Sequence, residues 1–286
     1  MQKAILSILI LAGLTVIFPA QAQLLKKIQN AAAQGVENAA TKKAREKSEK
    51  ATNDAIDGMF EGLMEPAPTE TEYSFTGYLT MEVTTIDKKG KSEDPVRIQY
   101  LLSDNTEVMG MALRDPKEPE AITTSIMDTK NEAMVMLMES KGEKSSIALK
   151  LDYDKIQGIV DEEAEEQLEQ PDYKITKTGN TKTILGYSCE EYLVTTEDGE
   201  GRYWVTEKPI EGYSMFSPQS NPMVSGKTVD RYSAMFSNAP KGSFMEMIFT
   251  DKEGAVTDMK VVEIESNSPR KFQMSDYPNM MAGAEK

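Results

Sequence analysis

The chain reads as an α+β protein, mainly antiparallel β, preceded by an N-terminal helical arm. Three observations predict this. Apolar residues recur near helical spacing from Gln23 to Met64. After Pro68 the apolar period changes to two, the period of a strand with one buried face. From there to Glu265 the apolar runs are short and separated by turn residues, which suits an antiparallel meander better than βαβ units.

The first element is an address. Lys3 supplies a positive n-region, Ala4 to Phe18 an apolar run, and Ala20-Gln21-Ala22 a small-x-small cleavage site behind Pro19. Residues 1–22 therefore read as a signal peptide, with a mature start at Gln23. The run is short for a membrane span and a polar sequence follows at once, so no transmembrane segment is expected after cleavage. The expected location is periplasmic or secreted.

Residues 23–64 form the arm. Leu25, Ile28, Ala32, Val36 and Ala39 make one weak stripe, and Ala55, Met59, Phe60 and Leu63 another. Thr41 to Asp54 between them is mostly charged, with Glu46 and Lys50 in the favourable i,i+4 orientation. An alanine-based stripe buries little area. Gln23 to Met64 is thus either a solvated tail or a docking arm for an envelope protein partner. Residues 65–71, with Pro66 and Pro68, stop the helix and serve as a linker.

Residues 72–277 are expected to be a β-rich domain, with 278–286 as a tail. Tyr73, Phe75, Leu79, Met81 and Val83 alternate as one strand, and Val96, Ile98, Tyr100 and Leu102 as the next. Further strands are expected near Thr106–Leu113, Ala121–Met127, Ala133–Met138 and Ser145–Leu151. Asp154 to Gln170 breaks the pattern as a surface helix or a loop with helical turns. Strands resume at Tyr173–Thr178, Thr183–Thr195 and Arg202–Thr206. Thr228 to Phe236 reads as a helix, and Ser243 to Glu265 as a hairpin turning at Asp251-Lys252-Glu253-Gly254.

Composition excludes several functions. The net charge of −15 repels a phosphate backbone, so nucleic acid is not an expected partner. Histidine is absent, which removes serine–histidine and cysteine–histidine catalysis and every His-ligated zinc or iron site. The one cysteine, Cys189, permits no internal disulfide, and its apolar strand setting predicts a buried, inert thiol. No phosphate loop, GxSxG, HExxH or calcium loop is present. Glu197, Asp198 and Glu200 around Gly199 read as a hairpin turn, not a metal cage. No cofactor, no metal and no enzymatic activity are expected.

The most distinctive segment runs from Lys182 to Glu207, KTILGYSCEEYLVTTEDGEGRYWVTE. Ile184, Gly186, Tyr187, Cys189, Tyr192 and the strand Trp204-Val205-Thr206 resemble the pattern of a domain-of-unknown-function family of exported bacterial proteins. Thr123 to Met138 resembles that family's strand–turn–strand, with Asp128 before the turn. The family is similar in architecture to the LolA/LppX-type carriers that move lipoproteins across the periplasm. What the resemblance implies is a curved open half-barrel sheet with covering helices, able to enclose a lipid or acyl ligand.

The methionines bear on that ligand. Met109 and Met111, then Met134, Met136 and Met138, then Met245 and Met247 alternate along strands, so each group shares one face. They could be ordinary core filler, the adaptable wall of a greasy cavity, or soft Cu(I) ligands. Met134, Met136, Met138, Met245, Met247 and Trp204 are the candidate cavity wall, although a lone Trp in a strand is usually core and only secondarily a lid or wall.

Overall fold

A computed structural model describes residues 66–280, apart from 93, 116–117, 153–157, 159–173, 197–198, 209 and 214–241. The signal peptide, the arm Gln23–Met64, and the helices expected over Asp154–Gln170, apart from Gly158, and over Thr228–Phe236 lie outside the described residues.

Thirteen strands are described: β1 Glu72–Phe75, β2 Gly77–Ile86, β3 Val96–Leu102, β4 Val108–Asp115, β5 Glu118–Asp128, β6 Ala133–Ser140, β7 Glu143–Lys150, β8 Lys174–Ile184, β9 Tyr187–Thr196, β10 Gly199–Thr206, β11 Ser243–Asp251, β12 Val256–Glu265 and β13 Arg270–Gln273. A single 3-10 turn, Met274–Asp276, follows. Strands β2 to β12 form one open eleven-stranded sheet in the order 7-6-5-4-3-2-12-11-10-9-8. Every neighbouring pair is antiparallel. Two meanders therefore meet at a central seam, where β2 pairs with β12. β7 and β8 follow one another in the chain but lie at opposite edges.

This corrects the α+β expectation. The class is antiparallel β, and no covering helix is found among the described residues. What covers one face there is a second, two-stranded sheet, β1 with β13. The physical reason is that the sheet is apolar on both faces over β3 to β7, and the covering layer is itself a period-two segment. Tyr73 and Phe75 of β1, with Phe272 and Tyr277, pack on Leu101, Ile126, Val135, Leu137 and Ala148. The ring pair Phe75–Phe272 meets edge-on at 6.0 Å. We call this the outer face. Leu79, Tyr100, Met111, Met136 and Ile147 point the other way, to the inner face.

Two expected strands divide differently. The single strand read through Tyr73 and Val83 breaks at Thr76, whose halves join different sheets. The strand expected over Thr183–Thr195 is interrupted by a tight turn at Leu185-Gly186, with φ of 50° and 83°. Positive φ at both central residues is the two-residue hairpin geometry that matches strand twist. Leucine is a poor advertisement for it, which hides the turn in the sequence.

Both sheet edges are protected. At β7, Ala67 N–H donates to Ala148 O at 3.1 Å, Ser146 N–H to Pro278 O at 2.9 Å, and Met280 N–H to Ser146 O at 2.9 Å. The two ends of the described chain thus satisfy the open edge that would otherwise invite pairing with another molecule. At β8 the register shifts between Lys177 and Thr181, and Gly179 adopts φ 86°. A bulge of this kind bends the edge away from strand addition.

Glu191, only 3% exposed, holds that bulge. Its carboxylate accepts from Thr178 Oγ1 at 2.7 Å and Asn180 Nδ2 at 2.7 Å, with Arg202 Nη1 at 3.5 Å. The Thr178 and Asn180 hydrogen bonds, with Arg202, hold its pKa below the usual carboxylate range. Such a group adds stability above the unfolded value of about 4.3, and the contribution fades as pH falls through the folded value. Glu191→Gln is therefore expected to lower the urea midpoint at pH 7, with the gap to the parent narrowing toward pH 3. A gap constant over that range would show that the charge of Glu191 contributes nothing.

Candidate functional site

The register places the inner face residue by residue. Reading across the sheet, Leu79, Tyr100, Met111, Ser125, Met136 and Ile147 form one row. Met109, Met127, Met134 and Leu149 form the row beside it. Across the seam, Val83 faces Met259, and Met259 faces Met247. Met247 is opposite Tyr203, which is opposite Tyr192. The inner cluster so formed contains ten methionines, counting the partly buried Met138. A thioether on three rotatable bonds fills irregular space and adapts when neighbours change, which sets this face apart from one built of Val and Ile.

All six candidate wall residues meet this cluster. Met134, Met136, Met245 and Met247 are buried in it, and the partly buried Met138 and Trp204 pack against it. Met245 owes its place to a register shift between Trp204 and Val205, which seats two consecutive residues, Phe244 and Met245, in the core.

Trp204 alternates with Tyr203 and Val205 and is in register with Glu191 and Glu246, so it reaches the cluster from the other face of β10. There Lys182 Nζ lies 4.2 Å from the ring centroid and 2.5 Å from Glu246 Oε1. This is a cation–π and ion-pair ledge. Cys189 is fully buried, and burial pushes its thiol pKa up. That is the setting of an unreactive thiol.

The inner face is closed in part by the segment after β10. Ile210 and Tyr213 belong to its cluster, and Tyr213 meets Tyr100 edge-on at 6.1 Å. Ser103 N–H donates to Gly212 O at 3.3 Å, and Ile210 N–H to Ser243 Oγ at 3.0 Å, pinning the segment to both meanders. Beneath it lies a cavity of about 10 Å³ lined by Tyr100, Met109, Gly110 and Tyr213. That volume holds about one water and no larger guest.

Sequence reasoning missed Tyr203. It is 7% exposed and turns its ring over Gly201, where a Cβ would stand 2.7 Å from Tyr203 Cε2. Its hydroxyl has no hydrogen-bond partner among the described residues. The spacing Gly201-Arg202-Tyr203 is the signal that could have found it: a glycine two residues from an aromatic leaves room on the same face for the ring. Among the described residues no group of three Asp, Glu, Cys or His is placed to hold a metal.

An open antiparallel sheet, apolar on both faces over β3 to β7 and rich in methionine on one, defines a β-sheet domain. The match to known families says which one: residues 75–276 match the domain of unknown function DUF4412, and the chain belongs to that family. No curated protein matches the chain. Among solved structures, two of PNGF-II, in space groups P21 and C2, are each 11% identical with a TM-score of 0.26. They cover 68% and 72% of this chain, which spans only 28% and 31% of theirs. A beta-barrel-like protein of the domain of unknown function DUF1849 from Brucella abortus is 7% identical with a TM-score of 0.24, covering 67% of this chain and 98% of its own. Likenesses this low define neither the fold nor the function of this chain. The domain-of-unknown-function family is shown, and the likeness to lipoprotein carriers is not.

Proposed function

We propose that this is an exported, non-enzymatic protein that binds a hydrophobic ligand, a lipid or acyl chain, against the inner face of its sheet in the periplasm or outside the cell. The observation that carries the reading is the run of methionines on one face across both meanders, from Met136 to Met247. Flexible thioethers accept apolar chains of varied shape without a fixed pocket. The signal-peptide pattern of residues 1–22 supports export, and the absence of histidine and the buried state of Cys189 support a role without catalysis.

The cavity beneath Tyr213 is far smaller than an acyl chain, so a guest at that point would need the methionines to repack and Ile210 to Tyr213 to shift. Two measurements test this. Native mass spectrometry and lipid extraction of protein purified from periplasm should recover an apolar guest. N-phenyl-1-naphthylamine should bind the purified protein with a fluorescence gain that extracted lipid reverses. Ligand-free protein that leaves the probe dark would refute the proposal.

A further inference from the structure

Tyr203 carries more than packing. It stands on the inner face, between Met247 of β11 and Tyr192 of β9, with the Phe244 ring edge-on at 6.2 Å. Gly201 on the same strand supplies the space its ring occupies. Buried hydroxyls in folded proteins nearly always find a partner, so a buried donor left without one asks for an acceptor from outside the chain.

We propose that Tyr203 Oη donates a hydrogen bond to an uncharged acceptor on the bound ligand, an ester carbonyl of an acyl ester. This rests on the hydrophobic-ligand reading above and sharpens it to a substrate class. The nearest cation along the row, Lys177, sits opposite Tyr192 and is held by Glu190 at 2.6 Å, so it offers no free charge to a carboxylate head. Burial alone raises the pKa of Tyr203, with no charged group acting on it, so the phenol stays protonated and donates. An ionised carboxylate placed against this row would lose its hydration with no free countercharge from its described residues in return. A neutral ester meets the hydroxyl and leaves its chain among the methionines.

The experiment uses the full mature chain and three pyrene probes of equal chain length: a hydrocarbon, its methyl ester and its free carboxylate. On the parent protein the ester should bind about tenfold more tightly than the hydrocarbon, the worth of one neutral hydrogen bond at its upper end. The carboxylate should bind most weakly at neutral pH. In Tyr203→Phe the ester-to-hydrocarbon ratio should fall to about one. Circular dichroism and the melting midpoint check that the variant is folded.

The outcomes separate cleanly. Equal binding of ester and hydrocarbon to the parent overturns the inference and leaves the hydrophobic-ligand reading standing. So does a ratio that survives Tyr203→Phe, or a Tyr203→Phe effect confined to the melting midpoint, as a buried water on the hydroxyl would give. Binding of none of the three probes overturns the hydrophobic-ligand reading and the inference with it. A preference for the carboxylate overturns the uncharged acceptor.

Discussion

Asp128→Ala is expected to destabilise the domain by about 4 kcal/mol, because a buried carboxylate with several donors loses all of them at once. Asp128 is 0% exposed at the end of β5. It accepts from Tyr73 Oη at 2.8 Å, from Asn131 N–H at 3.0 Å and from Asn131 Nδ2 at 2.6 Å. The first bond joins the covering strand β1 to the main sheet, and the other two shape the turn into β6. Truncation leaves the buried Tyr73 hydroxyl without its acceptor, where an unsatisfied group costs more than a bond contributes, while the half-buried Asn131 loses its turn bonds and keeps Glu70 Oε1 at 3.0 Å. Asp128→Asn keeps the shape and one acceptor oxygen, so it should lose less than half as much. Urea denaturation gives both numbers, and hydrogen exchange at residues 72–75 should rise first. A loss under about 1 kcal/mol for Asp128→Ala would mean that the donors find other partners.

The second large effect is expected at Gly110. This residue lies in the outer-face row with Leu101 and Ile126. A Cβ there would stand 2.7 Å from Phe75 Cζ and 2.9 Å from Leu101 Cδ1. The covering sheet can therefore press its Phe75 ring onto β4 only because position 110 has no side chain. Gly110→Val should cost about 3 kcal/mol through overpacking. Phe75→Ala alone should cost about as much, by leaving a cavity. The informative measurement is the double variant. Once the ring is gone, the valine has room, so the two losses should fall short of their sum by more than 1 kcal/mol, on the order of a direct-contact coupling. Strict additivity would show that Gly110 matters for some reason other than the Phe75 contact.

Much of the sheet was legible because its signals are local. Alternation marked most strands, and the turn Asp251–Gly254 fell where its residues suggested. The segment Ala133–Met138 was only half read. Its methionines gave one face, while Val135 and Leu137 between them are equally buried on the other. An uninterrupted apolar run is the signature of a strand covered on both sides. Taken at face value, it called for a second layer over β6. That layer's other strand, β13, escaped notice because only Phe272 of Arg270–Gln273 is apolar, too little for a period. Leu185 at positive φ hid a hairpin for the opposite reason, since a residue that resists the conformation occupies it.

The candidate site divides in the same way. Alternation placed the methionines on one face of each strand, but only the register could show that separate strands contribute to a common face. Pairing of β2 with β12 joins residues nearly two hundred positions apart, and no local pattern specifies that. Trp204 packs against the methionine cluster from the other face of its strand, which alternation along one strand does not reveal. Asp128 was visible before a turn, yet its burial depends on Tyr73, which arrives from a strand 55 residues earlier. The covering helices came from resemblance and had no support in the local pattern of the described segments.

The capped β7 edge has a mechanical meaning. The described chain enters beside Leu149, bridged by Pro66, and leaves beside Ser146, bridged by Asn279. Those anchor points are three residues apart on one strand, about 10 Å. Tension applied between the two ends therefore runs through a short stretch of one edge strand and bypasses the central seam and the methionine face. A load on either end falls first on the β7 edge, several strands away from the seam and from Met247.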